Sequence, residues 1–414
     1  MKERNTAAGG AAPPAKKEPL LTTNFVLACL ITLASFASFY YLLATLPVYI
    51  TTIGGDEREV GLIMGVFSAT TVILRPFIGR AADDRGRRIF ILVGNAILAV
   101  ASALYAGVTS VALLLGLRVF HGVGWASGGT TMNALVADIA PRSRRGEAMG
   151  YFGMFSNLAM AVGPALGFML MNAFSFPVLF FTAAAIAAIA VVLGFALREP
   201  ARLAPPPATA KAGKAPGQGV IERTTLFPAA VLTLVTITYG SIVSFLPLFA
   251  AKQGIENPGI FFTVYAIVLI LARGFTGQLS DRYGRAAVIV PGLVLATAAL
   301  WLLATATVLP TFLAVAVLYG LAFAAVQPAL MALVVDRAAP SRRGAAMGTF
   351  SAAMDLGIGL GSLLWGEVAY TAGFQVVYLA SGGFAVLALL VFLVGARGQG
   401  VFARPTAPQG GRAR

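Results

Sequence analysis

Twelve long apolar stretches, separated by short polar stretches, set the hydrophobic pattern of this chain. Each stretch approaches or exceeds the ~20 residues that a helix needs to cross the hydrocarbon core of a bilayer. The apolar runs are continuous, whereas the strands of a membrane barrel alternate, so the pattern indicates helices. We therefore predict an all-α membrane protein with twelve transmembrane helices. The predicted spans are residues 24–51, 58–80, 88–108, 111–137, 145–173, 176–197, 225–251, 258–280, 286–307, 310–336, 343–371 and 374–396.

The second half of the chain repeats motifs of the first half at a constant shift of 198 residues. A gap-free shift that links separate segments indicates an internal duplication. Each repeat holds six predicted helices, an even number, so both repeats begin on the same side of the membrane. We therefore predict two parallel six-helix bundles, at 24–197 and 225–396. The matched residues are Gly79, Asp83, Gly86 and Arg87 with Gly277, Asp281, Gly284 and Arg285, Arg75 with Arg273, and Asp138 with Asp336.

Three polar segments flank these two bundles. Residues 1–23 are rich in Pro and Gly and lack the apolar core of a signal peptide, so they are predicted to be a disordered cytoplasmic tail. Residues 198–224 are rich in Pro, Ala, Gly and Lys, which is typical of a flexible linker. Residues 397–414 are predicted to form a second cytoplasmic tail.

The basic residues predict the orientation of the chain in the membrane. With the N-terminus inside, 25 of the 30 Lys and Arg residues lie on the cytoplasmic side, as the positive-inside rule requires. Both termini are therefore expected in the cytoplasm of a bacterium, with the chain in its plasma (inner) membrane. The net charge of +14 is explained by these topology determinants against lipid headgroups. The expected partners are the bilayer, protons and a small-molecule substrate, with no nucleic acid, and we expect a monomer.

Several function classes find no support in the residues. There is no phosphate loop of the form G-x4-G-K-[ST], which disfavours an ATP-driven pump. There is also no nucleophile–base set and no His/Cys cluster with metal-ligand spacing, so neither an enzyme nor a metal or cofactor is predicted. The single cysteine, Cys29, excludes an intramolecular disulfide.

The segment after the second predicted helix carries a resemblance to a known family. Its pattern Gly79-x-x-Ala82-Asp83-x-x-Gly86-Arg87-Arg88 resembles the loop signature G-x-L-A-D-R-x-G-R-R of the major facilitator superfamily. The resemblance implies two six-helix halves with the substrate between them, and a cytoplasmic gate. Glycine permits the tight turn and close helix approach of such a gate, and we expect Arg75 to reach Asp138 and Arg273 to reach Asp336. The predicted gate residues are Gly79, Asp83, Gly86, Arg87, Arg75 and Asp138 with their counterparts Gly277, Asp281, Gly284, Arg285, Arg273 and Asp336.

The fifth predicted helix contains Gly150-x8-Ala159-x3-Gly163-Pro164-x2-Gly167. This resembles the helix 5 signature of the family's antiporters, with Ala159 in place of a glycine, and the resemblance implies export. Small residues four apart form a smooth face for another helix, and proline bends a helix. We interpret Gly163, Pro164 and Gly167 as a hinge, against the alternative that they serve packing alone.

Charges within the predicted spans are the candidates for proton coupling. Asp355 lies near the middle of the eleventh span, and the 198-residue shift places Asn157 opposite it in the repeat. An isolated buried carboxylate takes up a proton more readily because desolvation disfavours its charged form, whereas a nearby arginine opposes this. Arg118 and His121 lie in a pattern resembling the R-x-x-x-G-x-G motif of proton-coupled members, and titration of histidine suits a relay. The alternatives are a carboxylate paired for packing, an arginine extending to the interface and a neutral histidine.

Aromatic and amide side chains provide a candidate cavity lining. In the family, helices 1, 4, 7 and 10 border the central cavity, and such a sparsely polar lining suits lipophilic or amphipathic molecules better than sugars. The resulting hypothesis is a proton-coupled exporter of small organic molecules that works by alternating access. An uptake symporter for a sugar or organic acid and a non-transporting receptor or sensor are the alternatives. The predicted substrate-binding residues are Tyr40, Trp125, Asn157, Tyr239, Tyr265, Tyr319 and Gln327.

Overall fold

The computed structural model describes residues 19–141, 144–199, 225–339 and 343–398. These residues form helices and short connections, and twelve spans are long and apolar enough to cross a membrane. The predicted all-α architecture is confirmed. The predicted tails and linker fall mostly outside the described residues, at 1–18, 200–224 and 399–414. The helices are α1 (Thr23–Leu43), α2 (Leu46–Thr52), α3 (Glu57–Arg85), α4 (Arg87–Leu104), α5 (Val111–Ile139), α6 (Arg145–Ala173), α7 (Phe176–Ala196), α8 (Leu226–Lys252), α9 (Gly259–Tyr283), α10 (Ala286–Ala304), α11 (Leu309–Arg337), α12 (Arg343–Ala372) and α13 (Phe374–Gly398).

The first predicted span is divided into two helices. α1 ends at Leu43, and α2 begins at Leu46 with Pro47 in its first turn. Proline is accepted there because its missing N–H would have no helical partner in any case. From α3 onward, each helix number is therefore one higher than the number of the predicted span.

The helices preceding the two signature turns are longer than predicted. α3 continues to Arg85 and α9 to Tyr283, so Asp83 and Asp281 lie in the last helical turns and not in loops. The predicted tight turns are found at Gly86 and Gly284, whose φ angles of +102° and +92° favour glycine.

The expected close helix approach is absent at the other two signature glycines. A Cβ added at Gly79 would lie 3.8 Å from its nearest neighbour, the Thr130 methyl carbon, and one at Gly277 would meet no atom within 4 Å. The glycines at the turns are thus required by backbone conformation, whereas these two leave space beside their helices.

A distant carboxylate caps the start of α4. The backbone N–H groups of Arg87 and Arg88 donate to the two oxygens of Glu199, at 2.9 and 3.4 Å. The first N–H groups of a helix have no partner within it, and negative charge is favourable at that end. The segment that follows α7 is therefore attached to the first signature turn.

The two ends of the bundle differ in charge. We call the end that carries the α3–α4, α5–α6, α9–α10 and α11–α12 connections the basic end, because arginines concentrate there. The other is the opposite end. Between the ends, large apolar side chains such as Ile73, Phe181 and Val394 are exposed on the outside of the bundle. An apolar outer surface is the arrangement required for contact with lipid.

Helices of the two sequence halves meet where α3 packs on α12 and α6 packs on α9. Near the opposite end, a Cβ added at Gly61 would lie 2.6 Å from the carbonyl oxygen of Ser362 and 3.0 Å from the Cα of Gly366. The reciprocal contact brings a Cβ at Gly366 to 2.9 Å from the Cα of Gly61. Backbone therefore lies against backbone, and side chains larger than hydrogen do not fit.

This close packing leads to a testable prediction for Gly61→Ala. The added methyl group meets backbone atoms that cannot rotate away, so we expect the contact to lose about 1–3 kcal/mol and α3 to separate from α12. Distances between spin labels at Thr51 and Thr307, in a Cys29→Ala background, would shift to longer values. Gly274→Ala is the matched control, because a Cβ there meets no atom within 4 Å. A label distance distribution identical to that of the parent would contradict the prediction.

Candidate functional site

A cavity lies between the two halves on the basic side of this packing. Its volume is about 520 Å³, counting the open mouth. Four methionines and three phenylalanines make up half of the fourteen lining residues, and most of the others carry amide or hydroxyl groups. Methionine adapts its shape to different apolar surfaces, so the wall suits varied apolar groups. The lining residues are Phe36, Tyr40, Asn133, Phe152, Gly153, Ser156, Asn157, Met160, Gln327, Met331, Met347, Phe350, Ser351 and Met354.

Five polar side chains lie at a common depth between the halves, and we call them the polar layer. Each is ten to twelve residues from the basic end of its helix, which corresponds to about 15–18 Å along the axis. This depth is well inside the hydrocarbon region, where charged groups are costly and often functional. The polar layer consists of Arg75, Asn157, Arg273, Gln327 and Asp355.

Arg75 forms an ion pair with Asp355 across the two halves, from α3 to α12. Both side chains are largely buried, with exposed fractions of 12% and 11%, and Arg75 also donates to the Thr130 hydroxyl at 3.3 Å. The expected contact of Arg75 with Asp138 is wrong, because Asp138 pairs with Arg87 instead. No charged residue lies near Asp355 in the sequence of α12, but Arg75 of α3 pairs with it in the structure.

Arg273 likewise does not reach Asp336, which bonds to Arg285 at 3.2 Å. It lies deeper in the bundle, where its Nη2 donates to the Gln327 side-chain oxygen at 3.3 Å. The Gln327 nitrogen in turn donates to the Asn157 side-chain oxygen at 3.2 Å. Arg75 and Arg273 thus belong to the polar layer and do not lie at the surface of the basic end, where the predicted gate was expected.

At the rim of the basic end, one arginine in each half bridges two aspartates. Arg87 pairs with Asp138 and, at 3.4 Å, with Asp83, whose side chain is 65% exposed. In the second half, Arg285 bonds Asp281 at 2.6 Å as well as Asp336. Burial lowers the pKa of Arg285, but the bond to Asp281 and the charge of Asp336 outweigh it, so the net shift is upward. Such exposed pairs contribute up to about 1 kcal/mol each, and here each joins helices within one half.

The motif of the fifth predicted span, which lies in α6, packs inside the first half. In α6, a Cβ added at Gly163 would lie 2.8 Å from the Cβ of Tyr40, and one at Gly167 would meet the carbonyl oxygen of Tyr41. The smooth face predicted for these residues is therefore present, and its partner is α1. Pro164 lies between them within the same helix. A hinge motion at these residues stays a prediction.

Arg118 and His121 are buried within the first half, away from the polar layer. Arg118 is 1% exposed, so the alternative in which it extends to the interface is wrong. Its guanidinium contacts the Met64 sulfur at 3.3 Å and lies 4.3 Å from the Phe67 ring centre. His121 Nδ1 bonds the Tyr105 hydroxyl at 2.7 Å. Within the described residues no hydrogen bond joins either side chain to Asp355, and their roles in proton coupling stay predictions.

Three of the predicted substrate-binding residues line the cavity, namely Tyr40, Asn157 and Gln327. The other four are buried beside it. Trp125 stacks on Phe39, with ring centres 4.1 Å apart, and the Tyr319 hydroxyl bonds Thr238 at 2.9 Å. Tyr239 and Tyr265 are each 1% exposed, and their hydroxyls have no hydrogen-bond partner.

The sequence did not reveal the methionines of the cavity wall or the ion pair partner of Asp355. In a single sequence, a methionine that faces a cavity has the same pattern as one that faces a neighbouring helix. The shift of 198 residues did pair Asn157 with Asp355. That pairing was the available signal for the polar layer, although it did not indicate Arg75 or Arg273 as members.

Comparison with known proteins agrees with this architecture. Residues 28–258 and 257–410 match the family described as the Major Facilitator Superfamily. The chain belongs to the major facilitator superfamily. It is accordingly a multi-pass membrane transporter and not an enzyme.

Two curated relatives of this transporter cover nearly its whole length. The MFS-type transporter YhhS of Escherichia coli is 29% identical over 394 residues, covering 92% of this chain and 94% of YhhS. The staphylopine export protein of Staphylococcus aureus is 24% identical over 389 residues, covering 89% of this chain and 94% of that protein. The similarity thus extends over both halves.

Solved structures of transporters share the fold. A bacterial homologue of the human lysosomal transporter Spinster, in an inward-facing and unoccupied conformation, gives a TM-score of 0.72 at 16% identity and covers 95% of this chain and 100% of the other. The nucleoside transporter NupG gives 0.68 at 16% identity, covering 90% and 99%. At this level of identity the likeness shows the fold alone.

The Arg75–Asp355 pair of this major facilitator transporter can be measured by a double-mutant cycle. Arg75→Gln and Asp355→Asn each leave one buried charge without its partner, so we expect each to destabilise the protein. The double variant leaves neither charge, and it is expected to be more stable than the sum of the single effects by about 1–3 kcal/mol. Thermal or chemical unfolding in detergent would measure this coupling. Additive single effects would contradict a direct interaction.

Proposed function

We propose that this chain is a proton-coupled exporter of small lipophilic or amphipathic organic molecules, with its basic end in the cytoplasm. The observation that carries the proposal is the position of Asp355. Among the described helices it is the only carboxylate deep within a span, twelve residues after the start of α12. Its partner Arg75 belongs to the other half of the protein.

The ion pair links the charge of Asp355 to the distance between the two halves. When Asp355 is ionised, its attraction for Arg75 favours contact between α3 and α12. A proton on Asp355 removes that attraction and leaves the arginine without a carboxylate partner. A ligand shifts a conformational equilibrium by its different affinities for the two states, and here the proton is that ligand.

Three observations support the direction and the substrate class. The positive-inside rule favours a cytoplasmic location for the basic end, and the cavity lies on that side. The Gly163-Pro164 segment resembles the antiporter form, and one relative is named as the staphylopine export protein. The cavity wall is rich in methionine and phenylalanine, which suits an apolar or amphipathic molecule better than a sugar.

Transport also requires the basic end to close and reopen. The rim pairs Arg87–Asp83 and Arg285–Asp281 have exposed carboxylates, so each contributes little stability in this conformation. Weak contacts suit a gate whose two states must differ by only a few kcal/mol.

Proton coupling and direction are tested together in everted membrane vesicles, whose acidified lumen corresponds to the outside of the cell. Compounds that raise the unfolding temperature of the purified protein serve as candidate substrates. We expect them to accumulate in the lumen and to dissipate the pH gradient with the parent protein. Asp355→Asn should abolish both effects while the protein stays folded, because its side chain cannot exchange a proton.

Glu256→Gln is the control, since it removes an exposed carboxylate at the opposite end of the bundle. Undiminished pH-driven flux in Asp355→Asn would remove that residue from the mechanism. Acceleration of substrate loss from preloaded vesicles, in place of accumulation, would favour the uptake symporter.

The gate role of the signature is tested by Asp83→Asn. We expect a change in stability below about 1 kcal/mol, because Asp83 is exposed and its bond to Arg87 is long. The populations of open and closed basic ends should nevertheless shift. Distances between spin labels at Ala196 and Arg282 would report this shift, with Glu256→Gln at the opposite end as the control. Unchanged populations would count against a gate at Asp83.

A further inference from the structure

Arg273 carries a positive charge that no carboxylate neutralises within the described residues. It lies in the polar layer, where its hydrogen bond goes to the uncharged Gln327 and its Nε has no partner. Tyr265 and Tyr40, which carry no charge as phenols, are among its neighbours. A charge held away from water without a counter-charge is costly. The arrangement therefore calls for a compensating group.

Comparison of the two sequence repeats explains why the charge of Arg273 has no carboxylate partner. The shift of 198 residues relates Arg75 to Arg273, and Asn157 to Asp355. Where α3 meets α12, the arginine faces a carboxylate and forms an ion pair. Where α9 meets α6, the carboxylate is replaced by the Asn157 amide, which Gln327 joins to Arg273. One contact between the halves is balanced in charge and its counterpart is positive.

Hydrogen-bond donors are in excess around Arg273. Gln327 uses its oxygen for Arg273 and its nitrogen for Asn157. The Arg273 Nε and the hydroxyls of Tyr239 and Tyr265 have no partner, although both tyrosines are 1% exposed. The Asn157 oxygen is already occupied, so its amide N–H groups add further donors. A group that only accepts hydrogen bonds and carries negative charge satisfies such a set, and carboxylates and other oxyanions have this chemistry.

The cavity reaches the amide donors of this set. Tyr40, Asn157 and Gln327 are part of its wall, as are the methionines of α6, α11 and α12, and Arg273 bonds to the wall residue Gln327. We propose that Arg273, Gln327 and Asn157 bind the anionic head group of an amphipathic organic anion, whose apolar body lies among the methionines. This inference rests on the proposed function in taking the cavity as the substrate site.

The test compares ligands that share an apolar body and differ in head-group charge. Indole-3-acetate, indole-3-acetamide and tryptamine form one such series, and 2-naphthoate, 2-naphthamide and 2-naphthylmethylamine form another. Binding is measured by titration calorimetry in nanodiscs of phosphatidylcholine, so that no anionic lipid competes. We expect each anion to bind about tenfold or more tightly than its amide, as charge-assisted hydrogen bonds imply, and the amines to bind most weakly.

Asn157→Asp is the decisive variant, because it supplies a carboxylate where the ligand's carboxylate is expected and restores the pairing seen between Arg75 and Asp355. It should remove the preference for anions, and Arg273→Gln should do the same. Asn157→Ala removes the amide without adding charge and should keep most of the preference. Gln253→Glu, at the opposite end of the bundle, is the control for added charge and should leave binding unchanged. Arg273→Lys should recover part of the preference lost in Arg273→Gln.

Equal binding of the three head groups to the parent protein would overturn the proposal. So would an anion preference that persists in Arg273→Gln, or the absence of anion binding up to about 1 mM, a concentration that detects weak ligands. These measurements need no proton gradient. An anion preference without pH-driven flux would therefore leave the site standing and reject proton coupling, whereas pH-driven flux restricted to neutral or cationic compounds would do the reverse.

Discussion

The ion pair between Arg75 and Asp355 forms only because two helices from different halves of the protein come close together. Gly61 and Gly366 bring the backbones of α3 and α12 into contact, and the charged side chains meet farther along the same two helices. The desolvation of two buried charges and their mutual attraction nearly cancel. Small changes in helix spacing or protonation therefore decide whether the pair persists, which makes it suitable as a control point between two conformations.

The two contacts between the halves within the polar layer lie at positions related by the 198-residue shift but differ in chemistry. The first, between α3 and α12, contains an arginine and an aspartate, and the second, between α9 and α6, contains an arginine and two amides. A duplicated scaffold can keep one copy of a polar interaction for conformational control and release the other for a ligand. In this transporter residue 157 is an amide where its counterpart at 355 is a carboxylate, so the proposed anion site and the proposed proton site differ in charge.

The helices and the family were predictable from the sequence because both depend on local signals. Continuous apolar runs specify spans of membrane length, and the spacing of Gly79, Asp83 and Gly86 identified the family. The helical course of α3 through Asp83 was missed because the signature was treated as a loop, although Arg80, Ala81, Ala82 and Arg85 favour a helix. The partners of Arg75 and Arg273 were not predictable, because contacts between residues 280 or 54 positions apart depend on which helices become neighbours. A single sequence carries no direct signal for that arrangement.

The carboxylate cap on α4 has a consequence for biogenesis. Arg87 opens this helix, yet Glu199, which accepts its backbone N–H, lies 112 residues later in the chain. While the ribosome is still making the intervening helices, the start of α4 has two arginines at its positive end and lacks its acidic partner. Completion of the first signature turn therefore waits until the whole first half has been synthesised. The last residues of that half thus stabilise the start of α4 only after the helices of the first half have been made.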